Sequence, residues 1–553
     1  VSVRWAYLKR VLAGAIFGLY MAHLLYFLNP QVEITLLRLL PVTLIYGAIC
    51  GVLFGSLLWL LRVGRVRIFG SPSREGEYRA HGFGFVVLAA FISAVIYWIH
   101  LNVVRIYLPI GAVRILSKAT TVITVTAFAL LALWVLERSA DRRTSRILFT
   151  AGVILIAISS IFLYQRRDSY RTEKREVVVA NIGTVAGQRK VTLVAIRNLP
   201  YDWIVTMRGE GILPFFEKAV DRSYFTRLEP FPTTSPKALW ASLATGKLPY
   251  RHGVTGRFSY RTLLNRSDPF LLLPSGVGFQ GWGLIPPVER ISAQLPAGDA
   301  LPLWTLFERL SLRASVINWP SSASSRAAHL VSDRALREPI HAGDAGLANL
   351  AQRFNATGSA KKHILEALGD DFAAVDASRG AAHYDLQVIA LEGLSEAQRA
   401  LRLYENELPP RTTMRGDALR AYAQLLDRIL GEIAGSDPEQ IVIVCSPSGV
   451  MPPALPGDAY SFAVRRLRDA GAGADDGFLL VSGPGAIHRP RPEPARVPDV
   501  VPTVLFAAGL PIGRDMDGHI VTDAFSDEFL RQSTLSAIQT YEAEQLLVRR
   551  SGA

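Results

Sequence analysis

Apolar residues in the first third of the chain fall into long, nearly uninterrupted runs at 11–28, 40–61, 83–104, 120–136 and 147–164. Each is close to the ~20 residues needed to cross the hydrocarbon core of a bilayer, so the pattern predicts five transmembrane helices. The run at 106–116 is too short to cross and is expected to lie at the membrane interface. The first run has no small-residue cleavage site and four more runs follow it, so it is read as a span and not as a removable signal. Beyond residue 188 the pattern changes to short apolar strands alternating with amphipathic helices. A buried strand is predicted at 191–196, a helix ending near Ala219, a short strand, and a helix at 237–245 after the turn Pro232-Thr233-Thr234-Ser235-Pro236. Further on come strands at 383–391 and 440–446, and between them a helix at 416–434 with Leu419, Tyr422, Leu425, Leu426 and Ile429 on one face. A strand at 478–482 and a helix at 497–505 complete the pattern. This alternation predicts an α/β domain with a mixed, mostly parallel sheet between helices.

The expected organisation is therefore transmembrane helices over 1–164, a charged linker over 165–188, an α/β domain over 189–525 and a helical tail over 526–553. The domain carries a variable insertion around 257–345, rich in Gly, Pro and Ser.

Composition supports the membrane assignment. The mean hydropathy is +0.24 with 50% hydrophobic residues, and the excess lies in the first third. Basic residues set the orientation. Arg4, Lys9 and Arg10 precede the first run, Arg62, Arg65, Arg67, Arg74 and Arg79 separate the second from the third, and Arg138, Arg142, Arg143 and Arg146 separate the fourth from the fifth. These place the N-terminus in the cytoplasm and the α/β domain outside, periplasmic in a bacterial-type inner membrane. Arg166, Arg167, Arg171, Lys174 and Arg175 count the other way and are outweighed by the two full loops. The net charge of +13 is met by the bilayer itself, whose anionic lipid is a sufficient partner, and no nucleic-acid motif accompanies it. Two cysteines, Cys50 and Cys445, predict no structural disulfide. His23 and His100 are the only histidines within the runs, without the paired ionisable groups that an ion path needs.

Two motif groups carry the candidate chemistry. Trp240-Ala241-Ser242-Leu243-Ala244-Thr245-Gly246 and Arg251-His252-Gly253-Val254 form the first, and Gly509-Leu510-Pro511 with Asp515-Met516-Asp517-Gly518 the second. Together they resemble the alkaline phosphatase superfamily, within it the type I phosphodiesterase/nucleotide pyrophosphatase branch. That resemblance implies a Thr or Ser nucleophile and two divalent cations held by Asp and His at strand ends, which would activate the nucleophile and clamp phosphoryl oxygens. The family's ligand positions fall here on Arg197, Ser395, Arg399, Pro447, Ser448 and Gly473. None of these side chains is a usual ligand, so no metal cofactor is expected. The nucleophile position falls on Pro236, or on Ser235 beside Thr234 if one residue is inserted. By residue type alone, Thr234 and Ser235 are expected to cap the following helix.

Arg197 and Arg399, with Asn198, are candidates to bind an anionic group where the cations would lie, since guanidinium suits bidentate phosphate or carboxylate contact. The alternative is pairing with acidic neighbours such as Asp202, Glu392 or Glu396. The functional expectation is a membrane-anchored, catalytically degenerate protein acting as scaffold, sensor or subunit, with membrane-protein partners. The alternative is an active phosphodiesterase, phosphatase or phospho-headgroup transferase with an atypical site and two zinc or manganese ions.

Overall fold

The computed structural model describes residues 78–105, 108–168, 179–182, 189–231, 236–254, 258–262, 265–270, 288–292, 300–320, 329–331, 384–401, 408–451, 475–533 and 535–548, with scattered residues before 78 and at 371 and 374. The chain divides into two compact units. One comprises Val1–Lys174, Phe258–Ser292 and Gly457–Phe462; the other comprises Arg175–Arg257, Ala293–Pro456 and Ala463–Ala553.

Among the described residues the first unit contains three long helices, α1 (Tyr78–Val104), α2 (Ile110–Arg138) and α3 (Arg142–Asp168). Within α2 and α3, Ile110–Arg138 and Arg143–Arg166 are long and apolar enough to cross a membrane, while α1 has a shorter apolar stretch at Val86–Asn102. The first two expected spans lie mostly outside the described residues, so the structure holds two of the five expected crossings by length and composition. Of the stretch 106–116, residues 110–116 form the first turns of α2, with Pro109 at the N-cap, and are continuous with the apolar run that follows. Neighbouring helices are joined by polar contacts, Trp98 Nε1 donating to Thr124 Oγ1 at 3.1 Å and Thr126 with Ser159 at 2.8 Å. The same unit holds a three-stranded antiparallel sheet of β4 (Phe258–Thr262), β5 (Asn265–Phe270) and β6 (Val288–Ser292), in the order β5-β4-β6.

The second unit is built on an eight-stranded sheet. Its strands are β2 (Val191–Ile196), β3 (Tyr224–Glu229), β7 (Ala314–Ile317), β8 (His329–Val331), β9 (Leu386–Leu391), β10 (Ile441–Ser446), β11 (Gly477–Ser482) and β12 (Ala495–Arg496). The order is β12-β3-β11-β10-β2-β9-β7-β8, and only β11 runs antiparallel to its neighbours. β2 and β10 are buried along their whole length, as continuous apolar runs in a sheet covered on both faces should be. Among the described residues, its helices of six residues or more are α4 (Tyr201–Gly209), α5 (Pro214–Arg222), α6 (Pro236–Thr245), α7 (Leu303–Arg309), α8 (Gly393–Ala400), α9 (Met414–Gly435), α10 (Val500–Ala507) and α11 (Asp527–Gln532). Trp203, Phe216, Tyr422, Leu426 and Phe478 share one core against the sheet.

Four boundaries differ from expectation. The helix expected to end near Ala219 is two helices, α4 and α5, because Gly211 takes a φ of 70° between them. Within the expected insertion 257–345, β7 and β8 belong to the central sheet. The charged linker includes β1 (Val179–Ile182). The tail at 526–553 is not simply helical: after α11 it forms β14 (Ala537–Ile538), paired with β13 (Ile512–Gly513), and β15 (Gln545–Val548), paired in parallel with β1.

Candidate functional site at the carboxyl edge of the sheet

In an open α/β sheet, ligand sites form outside the carboxyl ends of the parallel strands. Here β2, β9 and β10 end side by side, at Ile196, Leu391 and Ser446, and the chain turns off each strand onto the positions singled out in the sequence. After β2 the backbone N–H of Arg197 still donates to Leu391 O at 3.0 Å. Asn198 then reverses the chain at a φ of 61°, a left-handed conformation that Asn tolerates better than most residues. Its carbonyl accepts from Gln398 Nε2 of α8 at 2.9 Å, and the next N–H, of Leu199, donates to Ser446 Oγ at 3.1 Å. The Ser446 hydroxyl donates in turn to Ser448 O at 2.8 Å.

Among the described residues at the ligand positions, Arg197, Ser395, Arg399 and Ser448 are thus engaged within the protein. Arg197 Nη1 donates to Glu392 Oε1 at 3.0 Å, with both side chains about a quarter exposed. Ser395, in the first turn of α8, donates its hydroxyl to Glu392 O at 2.9 Å and faces the backbone. Arg399 is 56% exposed and pairs with Glu396 at 2.9 Å, one turn earlier on the same helix. The pairing alternative raised from sequence therefore describes both arginines, whereas Asp202 is taken by Arg227 at 2.6 Å. Pro447 and Ser448 are buried in the turn after β10, where Pro447 offers no donor and Ser448 its carbonyl. Thr234, Ser235 and Gly473 lie outside the described residues. Among the described residues no three His, Cys, Asp or Glu side chains gather to hold a metal ion. Arg197 Nε and Gln398 Oε1 are buried without a hydrogen-bond partner.

Behind this edge a buried carboxylate positions α8. Asp371 accepts from the Gly393 N–H at 3.2 Å and from the Tyr422 hydroxyl at 2.6 Å, tying the start of α8 to α9. Nothing in the spacing around Asp371 announced this, because both partners lie more than twenty residues away.

The two motif groups, by contrast, meet each other. Gly246 ends α6 at a φ of 67°, and a Cβ there would stand 3.0 Å from Val501 Cβ of α10, so only Gly fits. Its carbonyl accepts from the N–H groups of Asp517 and Gly518. Asp517 in return accepts from the Leu248 N–H at 2.8 Å, from Arg251 Nε at 2.9 Å and from the Tyr250 hydroxyl. His252 is fully buried. The Val254 N–H donates to its Nδ1 at 3.1 Å, which leaves the proton on Nε2 to reach Ser242 Oγ at 2.9 Å. Burial pushes its pKa down to about 3, so the ring is neutral. Beside it Lys247, with 5% of its side chain exposed, contacts Asp515 at 2.5 Å and Glu542 at 2.5 Å. Burial raises the Glu542 carboxyl, while Asp515, despite burial, is held below the usual range by Lys247 and Thr540. Lys247 directly follows one recognised motif and Asp515 lies in another, but Glu542 carried no sequence signal.

No protein-family profile matches the chain, and no curated protein does. Solved structures similar in fold include a 2-O GAG sulfatase (11% identity, 60% of this chain and 73% of that one, TM-score 0.38). Murine ectonucleotide pyrophosphatase/phosphodiesterase 5 is similar at 11% identity over 61% of this chain and all of that one, TM-score 0.35. A protein in the alkaline phosphatase superfamily from Vibrio parahaemolyticus is similar at 11% identity over 63% and 74%, TM-score 0.34.

Proposed function

We propose that this chain is a membrane-anchored, catalytically degenerate protein of alkaline phosphatase type, acting as a scaffold, sensor or subunit of a membrane assembly. The observation that carries this reading is the state of the carboxyl edge. Where the family signatures call for acids and imidazoles, Arg197 and Arg399 are ion-paired, Ser395 is bonded to its own helix turn and Pro447 has no donor. A hydroxyl with a pKa far above 7, lacking metal or base, is a poor nucleophile. Anion binding by Arg197, Asn198 and Arg399 belongs to this proposal, and it requires a ligand able to draw Arg197 from Glu392 and Arg399 from Glu396. Membrane anchoring is supported by the apolar surface of α3, where Ile147, Val153, Ile154, Ile158 and Ile161 are 50–61% exposed.

The test is purification of the intact protein from membranes, with elemental analysis and an assay on bis-p-nitrophenyl phosphate. A metal-free protein that copurifies with other membrane subunits and leaves the diester intact is the expected result. Two bound zinc or manganese ions together with hydrolysis would instead make it an enzyme with an atypical site. For the anion proposal, replacing Arg197 and Arg399 together by Ala should abolish retention of a phosphorylated ligand; unchanged retention would remove that element.

A further inference from the structure

Residues 537–548 do more than follow α11. After α11 the polypeptide returns across the second unit and is held at every step. Ile538 pairs with Gly513, and the Tyr541 hydroxyl, 2% exposed, donates to Pro511 O at 2.6 Å. Arg309 of α7 grips the carbonyls of Tyr541 and Ala543, the latter at 2.8 Å. Glu542 accepts from the Leu301 N–H at 3.1 Å and meets Lys247 Nζ with both oxygens, at 2.5 and 2.6 Å. Thr540 and Asp515 complete the cluster, at 3.0 Å from each other. The chain then runs as β15 in parallel register with β1, from Val179↔Gln545 to Ile182↔Val548. β1 is the first strand after α3, whose last residue is Asp168. Lys247 stands two residues past the end of α6, the helix that follows the Thr233-Thr234-Ser235 turn in sequence.

We propose that residues 537–548 are a strap coupling β1, the strand within the charged linker, to helix α6, with the Lys247–Glu542 pair as its clasp. The strap has two ends. At one, four residues of backbone pairing hold Val179–Ile182, and a two-stranded sheet is marginal by itself, so β1 depends on β15 staying in place. At the other, a lysine almost without solvent is neutralised by a carboxylate that the strap supplies. Withdrawing Glu542 leaves the buried Lys247 with Asp515 as its one counter-charge, so a shift of the strap is felt by the segment after α6. A displacement of β1 therefore reaches the helix behind the hydroxyl turn without passing through the carboxyl edge. This goes beyond the function proposed above and holds whether or not the cleft is catalytic.

Hydrogen exchange read by mass spectrometry on the full-length protein in detergent tests the strap. Ending the chain after Ser536 is expected to speed exchange in Val179–Ile182 on the order of 100-fold, and in Pro236–Thr245 by about tenfold. Leu386–Leu391 and Ile441–Ser446 should keep their protection. Glu542→Gln keeps the size of the side chain and leaves Asp515 as the one counter-charge, so both segments should speed up by a smaller factor, about tenfold for the first and about threefold for the second. If the truncated chain loses protection in the central strands as well, Glu542→Gln alone decides. Acceleration of Val179–Ile182 with an unchanged Pro236–Thr245 in Glu542→Gln would overturn the coupling. No change in either segment would overturn the strap itself.

Discussion

Two sites in the α/β domain carry family landmarks, and they have fared differently. Around α6, residues from two motifs more than 250 positions apart are interlocked through Gly246, Leu248, Arg251 and Asp517. At the ends of β2, β9 and β10 the strands are in place, and Arg197 and Arg399, at positions the resemblance gives to metal ligands, are ion-paired with Glu392 and Glu396. The difference teaches that these motifs are a structural joint. Asp517 satisfies a backbone N–H, a guanidinium and a phenol, all inside the fold, so the motif serves the fold whatever the cleft does. A motif match of this type is evidence for architecture first.

The largest effect is expected where that joint is driest. Lys247→Met leaves the Asp515 and Glu542 carboxylates together without a counter-charge, and loss of one partner of a buried ion pair costs about 3–5 kcal/mol. Thermal unfolding in detergent should show this as a lowered midpoint, and a wild-type midpoint would mean the cluster is open to water. Asp517→Asn comes next. It weakens the contacts to Leu248 N–H, Tyr250 and Arg251, and since Arg251 is 40% exposed most of the loss comes from the first two, about 2 kcal/mol in all.

His252 sharpens the same contrast through pH. Its pKa falls from 6.5 in the unfolded chain to about 3 in the fold, so folding favours the neutral ring. The stability this contributes is complete above pH 6.5 and is lost as pH falls from 6.5 toward 3, by up to about 1.4 kcal/mol per pH unit. A plot of unfolding midpoint against pH should therefore be less steep below pH 6.5 in His252→Asn than in wild type. Equal slopes would place the imidazole in contact with water.

How much of this was legible beforehand follows from the range of the interactions. β2, β10 and α9 were legible because burial imposes a pattern on consecutive residues, and the structure sets them at Val191–Ile196, Ile441–Ser446 and Met414–Gly435. The superfamily resemblance and the absence of acids at Arg197, Ser395 and Arg399 were legible too, since both are matters of residue identity. The pairing of Arg197 with Glu392 could be stated only as one of several options, because parallel strands joined by a long crossover give no local cue to register. Glu542 was invisible for the same reason. β14 and β15 are two and four residues long, too short for a period to show, so the tail read as helix.

The smallest effect is expected at the carboxyl edge, and it is the most discriminating. Arg197 and Glu392 are 23% and 26% exposed, so water and salt screen their pair in a way that the Lys247 cluster escapes. Arg197 also buries an Nε without an acceptor, a desolvation cost that its removal relieves. Arg197→Ala should therefore change stability by less than about 1 kcal/mol, against several for Lys247→Met. A denaturation series of the two variants at low and high salt checks this, and salt should narrow the already small Arg197 difference while leaving the Lys247 one nearly intact. If Arg197→Ala were as damaging as Lys247→Met, the edge would be as integral to the fold as the joint around α6. Its arginine would then be needed where it stands, and no ligand could draw it from Glu392 without unfolding the edge.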